Sequence, residues 1–355
     1  MRLLRIIPFL ATLAVLAGCT SNAPVAGPPT TEATVSTPTP TPTEVGPVVA
    51  FGADCANVLT DAETTDLLGP EAITWAERSS PDSIAPSSDP SWPIARAGGL
   101  HCRWLTSASD PAEPYDDSEN AVQELGIIAF PADIVADRYR AELADARCDP
   151  DFDTTWCRLG RTEGDVWLLA RTGWYASTPP TALLTAALDA ATARIAAFPA
   201  PIAKPRATGW WSFTGCDEFG RHLQLSDVLG PEYHSGYWEG SAQHEELILE
   251  AAGVSQFCQY SSDFEGVPDG YAFAILSISL DAGAGDTWRS EPADGETARD
   301  VIGAAHAFVE PITEGEGATL RATDGVNVLR VTAEGDAAIA VVVAERVLDF
   351  LAGAE

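Results

Sequence analysis

An α+β fold built as two tandem repeats, each an antiparallel sheet with helices packed on one face, is the class this sequence predicts. Three observations predict it. A cysteine-and-glycine pattern occurs twice, strand-like apolar runs follow each copy, and each copy closes in an alanine-rich helical stretch. The first copy reads Cys55, then Leu67-Leu68-Gly69-Pro70-Glu71, then His101-Cys102-Arg103-Trp104. The second reads Cys216, then Val228-Leu229-Gly230-Pro231-Glu232, then Phe257-Cys258-Gln259-Tyr260. In both, the glycine lies fourteen positions after the first cysteine and an aromatic stands two after the second. Strand-like runs follow at Leu125–Phe130 and Tyr271–Leu280, and the helical stretches are Thr181–Phe198 and Asp336–Leu351. Chance supplies one matching pentapeptide more readily than a whole ordered series, so the pattern reads as a duplication.

Before the repeats come two segments of other character. Residues 1–18 carry Arg2 and Arg5, then an apolar stretch from Ile6 to Leu16 of signal-peptide length, too short to span a bilayer comfortably. The stretch ends in Leu16-Ala17-Gly18-Cys19, which resembles the lipobox of bacterial lipoproteins. Small residues let the backbone enter a peptidase groove, and the Cys19 thiol takes a diacylglyceryl group; two acyl chains anchor stably where one is marginal. The resemblance implies cleavage before Cys19 and a membrane partner reached through lipid, on the extracytoplasmic face. Residues 19–48 are rich in Pro, Thr, Ser and Ala, with too few large apolar side chains to offset ordering entropy. They read as a disordered, semi-rigid Pro/Thr spacer.

The first repeat is expected over 49–200 and the second over 207–355. Asp61–Leu68 has acidic residues in its first turn and Gly69-Pro70 after it, a short helix with a stop signal. Leu100–Leu105, Leu125–Phe130 and Asp165–Tyr175 read as strands, and Pro131 to about Ala146 as a helix through Ile134, Val135, Tyr139 and Leu143. Thr181–Phe198 closes the repeat with an apolar stripe. In the second repeat Leu223–Leu229 is the short helix, and Phe257–Ser261 and Tyr271–Asp281 are strands. Glu296–Glu310 reads as helical, Ala318–Thr323 and Asn327–Thr332 flank an Asp324-Gly325 hairpin turn, and Ala337–Ala352 is the last helix.

Seven cysteines less Cys19 leave six, an even number for an exported chain. Six cysteines admit 15 pairings. The duplication selects Cys55–Cys102 and Cys216–Cys258, which leaves Cys148 to pair most simply with Cys157.

Cys55 ahead of a short helix ending Leu67-Leu68-Gly69, then Cys102-x-Trp104 on a strand, resembles a family of uncharacterised actinobacterial lipoproteins. The resemblance covers both repeats and implies an extracytoplasmic, sensor-like α+β domain with no assigned reaction. The tandem arrangement and the Cys148/Cys157 pair depart from the family's pattern.

The formal charge of −32, or −34 once Arg2 and Arg5 leave with the signal segment, repels phosphate backbones and anionic lipid surfaces. Nucleic acid is therefore excluded as a partner. No G-x-S-x-G, Walker-type or H-E-x-x-H motif occurs. Asp149, Asp151 and Asp153 alternate in a loop as calcium ligands do, but Thr154 stands where a glycine is needed, and a solvated loop is the plainer reading. His222, His234 and His244 with Glu239, Glu245 and Glu246 fit no common zinc spacing and read as surface groups. Hence neither metal nor cofactor is expected. Trp156, Trp167, Trp174 and Tyr175 are aromatic in the first repeat. In the second, Trp210, Trp211, Tyr237 and Trp238 lie in Gly/Ser-rich contexts, where aromatics bind ligands; core packing is their plainer role. The expectation is a non-enzymatic, membrane-anchored protein that binds a small ligand or a cell-envelope protein. A cell-envelope hydrolase and a structural spacer are the alternatives.

Overall fold

In a computed structural model, the structure describes residues 46–78, 91–106, 122–151, 154–174, 179–237, 242–263, 274–293, 295–312 and 317–353. Cys19, the signal segment, nearly all of the spacer and Trp238 lie outside them. In chain order the first half contains α1 (Asp61–Leu68), β1 (Ile73–Thr74), α2 (Trp75–Arg78), α3 (Ser91–Arg96), β2 (Leu100–Leu105) and β3 (Val122–Pro131). It continues with α4 (Asp137–Glu142), β4 (Arg147–Asp151), β5 (Thr154–Glu163), β6 (Val166–Trp174) and α5 (Thr181–Thr192). The second half contains α6 (Cys216–His222), α7 (Ser226–Leu229), β7 (His234–Ser235), α8 (His244–Ala251), β8 (Ser255–Ser261) and β9 (Ile275–Asp281). It ends with β10 (Thr297–Ala298), β11 (His306–Pro311), β12 (Gly317–Thr323), β13 (Val328–Glu334) and α9 (Ala337–Ala352).

The fold is α+β, with one antiparallel sheet in each half. The first sheet runs β1-β2-β3-β6-β5-β4, and the second, read from its far edge, runs β7-β8-β9-β13-β12-β11-β10. Apart from the added β10 the two orders coincide. So do the registers: Cys102 opposes Ile127, Ile127 opposes Ala170 and Ala170 opposes Leu159, while Cys258 opposes Ile278, Ile278 opposes Val331 and Val331 opposes Leu320. Disulfides Cys55–Cys102 and Cys216–Cys258 join the start of each half to its β2 or β8 strand, with Cα separations of 5.6 and 5.5 Å. Cys148 and Cys157 are bonded and stand opposite one another across the β4–β5 hairpin.

Corresponding faces of the sheets carry the closing helices. Leu184, Ala187, Leu188 and Ala191 recur at helical spacing on α5 and are fully buried against Cys102, Trp104, Leu125, Ile127 and Leu168. Ile339, Ala340, Val343, Ala344, Val347 and Leu351 of α9 do the same against Leu276, Ile278, Leu320 and Val331. Each such aliphatic side chain stabilises the fold by roughly 1.5–3 kcal/mol. α1 is closed at its start by a capping box in which the Thr60 hydroxyl accepts from the Glu63 N–H and Glu63 accepts from the Thr60 N–H.

Three elements differ from the sequence reading. Glu296–Glu310 is not a helix: it contains β10 and all of β11 but Pro311, separated by Gly303 at φ +86°. Ala307 and Phe308 lie on opposite sheet faces, a period-2 pattern that pairing with β12 makes decisive. The helix expected from Pro131 to Ala146 is a short 3-10 turn and then α4, because Pro131 still belongs to β3 and Val135 is extended. Val135, Tyr139 and Leu143 are nonetheless buried together. Of the short helix expected at Leu223–Leu229 only Ser226–Leu229, α7, is helical; Gln224 at φ +53° lies in the turn that separates it from α6.

The opposite face of the first sheet carries an apolar patch beside a row of arginines, Arg103, Arg171 and Arg158. Ile128, Phe130, Trp167 and Leu169 are fully buried under Ile94 of α3 and Tyr139 and Leu143 near α4. Ile248 and Leu249 of α8, with Val254, complete this cluster from the second half. Polar groups join there as well: Arg171 pairs with Glu245, and the Arg158 Nη2 donates to Gln243 Oε1 at 3.0 Å. Both halves belong to one compact unit, Val45–Glu355.

Candidate functional site

The matching face of the second sheet is built differently. In the first sheet the central row reads His101, Ile128, Leu169, Gly160 across four strands. The register-equivalent row in the second sheet reads Phe257, Ser279, Arg330, Arg321 and continues to Phe308 on β11. Gly160 leaves room for the Trp167 ring, which a Cβ there would meet at 2.9 Å; the equivalent place holds the Arg321 side chain. The next row carries Gln259, Ser277, Thr332 and Thr319, with Gln259 Nε2 donating to Ser277 Oγ at 3.3 Å and the threonine hydroxyls 3.1 Å apart. Not one of these residues belongs to an apolar cluster of the described fold. A floor of hydroxyls, an amide and two guanidiniums thus lies between aromatic borders at Phe257 and Phe308.

Strand alternation explains how this arises. In Thr319-Leu320-Arg321-Ala322-Thr323 and Val328-Leu329-Arg330-Val331-Thr332 the apolar residues between the polar ones point to the core. The hairpin turn then sets Arg321 opposite Arg330. Like charges directly opposite on adjacent strands are destabilising by a fraction of 1 kcal/mol up to roughly 1 kcal/mol.

The segment after β9 folds over one end of the face. Trp288 stacks on Phe308 with ring centroids 5.4 Å apart. The Glu296 carboxylate, only 3% exposed, pairs with Arg321, accepts from Arg289 Nη2 at 3.0 Å and accepts from the Ala293 N–H at 2.7 Å. Two buried donors there have no acceptor, the Trp288 indole N–H and the Arg289 Nε–H. An unmet buried donor costs roughly 1–3 kcal/mol.

Burial pushes the Arg321 guanidinium down to about 10, with Arg289 and Arg330 pushing the same way, so it stays charged at neutral pH. Arg330 is lowered by burial against the pull of Asp281. Burial in turn pushes the Asp281 carboxyl up, opposed by a Ser255 hydrogen bond, Arg330 and Arg96. Arg289 and Arg321 share Glu296. The first sheet's Arg103, Arg171, Arg158 and Arg147 stand among four carboxylates, Glu124, Glu245, Asp149 and Glu142.

The aromatic residues singled out from the sequence go to separate places. Trp210 and Trp211 are interior, 9% and 7% exposed, so the packing role applies to them and exposed-loop placement does not. Trp210 lies against Gly283, whose φ of +68° and missing Cβ leave the space the indole fills. Trp211 sits in the second core, and its N–H donates to Oδ1 of fully buried Asn327 at 3.2 Å. Asn327 also accepts from the Gly283 N–H at 2.9 Å and donates to Gly209 O at 2.8 Å, locking this corner. Tyr237 does reach the polar face: its ring lies 5.5 Å from Phe257, and its hydroxyl donates to Glu246 Oε2 at 2.6 Å. Desolvation and that acidic partner push its hydroxyl pKa up. Trp238 lies outside the described residues.

The three histidines stand on different partners, His222 on Glu218 and Phe350, His234 on Asp263, and His244 on Glu142. Asp149 pairs with Arg147 and Arg158 in the β4–β5 hairpin. Among the described residues no three metal-ligating side chains gather. Comparison with family models, curated proteins and solved structures finds no match for this chain.

Proposed function

We propose that this chain is a lipoprotein anchored through Cys19 on the extracytoplasmic side of a membrane, whose second half binds a ligand on the polar face of its sheet. One contrast carries the reading: at the same row of two sheets of like order and register stand His101, Ile128, Leu169 and Gly160 in one half and Phe257, Ser279, Arg330 and Arg321 in the other. Buried guanidiniums cost desolvation that aliphatic residues do not. A recognition surface gains placed donors between aromatic borders. The lipobox resemblance, the Pro/Thr spacer and three disulfides are consistent with an envelope location outside the reducing cytoplasm. A binding or sensor role is also what the resemblance to the actinobacterial lipoprotein family implies.

Two measurements test the two parts. Cell fractionation of the full chain should place it in the membrane pellet and its Cys19→Ser variant in the soluble fraction; equal pelleting would remove the anchor. Hydrogen exchange of the full chain against a panel of neutral sugars, short peptides and small acids should slow in β9, β12 and β13 with a binder. Protection confined to the first sheet would place the site elsewhere.

A further inference from the structure

We propose that Tyr237 and the first turn of α8 form a relay between the halves, so that what displaces the Phe257 border of the second sheet's polar face also loosens the hold on Arg158 in the first half. The relay rests on the binding reading above for its use, a sensor that reports occupancy across the molecule, but not for its existence. Three observations carry it. The first is continuity. The Tyr237 ring lies 5.5 Å from Phe257, and its hydroxyl donates to Glu246 Oε2 at 2.6 Å. The Gln243 N–H donates to that same oxygen at 2.9 Å, and Arg158 Nη2 donates to Gln243 Oε1 at 3.0 Å. The second is that one atom has two tasks. Glu246 Oε2 closes the start of α8 and also receives the tyrosine, so a shift of the ring bears directly on the cap. Burial and the acidic partner push the Tyr237 pKa up, which keeps the hydroxyl a donor. The third is the division of α8 into two sides. Glu246 and Glu250, one turn apart, take Tyr237 and Gln256 of the second half. Glu245, Ile248 and Leu249 take Arg171 and the apolar cluster of the first sheet. A rigid element gripped on both sides carries a displacement from one to the other.

The test needs no ligand. Hydrogen exchange is followed in the full chain, together with fluorine spectra of the chain grown with fluorotyrosine, the Tyr237 signal being assigned by its loss in Tyr237→Phe. That variant keeps a ring against Phe257 and removes one hydrogen bond. Exchange at the start of α8 should therefore quicken by roughly fivefold, the worth of one such bond. The strands that carry Arg158 and Arg171, β5 and β6, should quicken with it while β12 and β13 stay unchanged. In the reverse direction Arg158→Met should shift the Tyr237 signal, because coupling between two places is reciprocal. Arg161→Gln, whose partner Asp189 belongs to α5, should leave that signal in place. The double variant Tyr237→Phe with Arg158→Met should exchange no faster in β5 and β6 than the faster single variant; effects that multiply would make the two contacts independent and overturn the relay. Quickening confined to α8 and β8, or an unmoved Tyr237 signal in Arg158→Met, overturns it too. Circular dichroism melts identify a variant that fails to fold, and Gln243→Met, which removes the acceptor of Arg158, then replaces Arg158→Met. Failure of the relay leaves binding on the polar face standing, since no ligand enters the experiment. A relay that holds while no probe protects β9, β12 or β13 removes the face as a ligand site and keeps the coupling.

Discussion

Glu63 shows how much a single side chain organises at the start of the first half. Its carboxylate takes the Arg194 guanidinium from the far end of the half, 2.6 Å away, and the N–H and hydroxyl of Thr60, both at 2.8 Å. The Arg194 hydrogen bond, the largest cause, and the Thr60 donors hold its pKa down to about 2 against burial, which raises it. A carboxylate with a depressed folded-state pKa stabilises the fold above its unfolded value, and that contribution disappears as pH falls toward the folded one. The half-exposed setting limits its worth to about 1 kcal/mol. Glu63→Gln should therefore lower the melting temperature at neutral pH and coincide with the native chain near pH 2, as paired thermal melts would show. Equal loss at both pH values would assign the effect to the cap alone.

At the scale of elements, α8 has the least expected role. Its capping box is formed by Gln243 and Glu246, it leads through Gly253 into β8 of the second sheet, and its Ile248 and Leu249 fill the first sheet's cluster. Leu249→Ala should cost about 2–5 kcal/mol and raise hydrogen exchange in β3 and β6 of the first half more than in β12 and β13; the reverse order would show that α8 serves only its own half. Regular elements with a clear period were legible beforehand: α1, β2 and α9 have the bounds the sequence implies, because their caps and apolar spacing are local. α8 was not, since His244-Glu245-Glu246-Leu247-Ile248-Leu249 shows a short apolar run whose partner lies over 70 residues away in sequence. β11 was misread because its pairing with β12, not its own composition, decides its conformation. The site was half legible. Reading the Asp324-Gly325 turn as a hairpin already puts Arg321 across from Arg330, but only the comparison of sheets shows that the other half has Gly160 and Leu169 there.

Over the whole molecule, the six paired cysteines staple structures of different reach. Cys55–Cys102 and Cys216–Cys258 span 47 and 42 residues, Cys148–Cys157 spans 9. Loop-closure entropy makes the long ones worth about 4 kcal/mol each and the short one about 2.5 kcal/mol. Double alanine variants at each pair, compared by urea unfolding, should rank in that order; a larger loss from the β4–β5 pair would mean that the hairpin's own geometry outweighs chain entropy.

Val48 and Ile202 exchange backbone hydrogen bonds of 2.9 and 2.8 Å, so the leading end of the described chain is fastened to the segment between the halves. Mechanical load arriving along the polypeptide from before residue 46 would thus meet a two-bond clasp at the joint, not a strand of either sheet. Opening that clasp would lengthen the reach of the folded body by a few residues while both disulfide-closed halves kept their shape, a small amount of slack built in at the point where strain would enter.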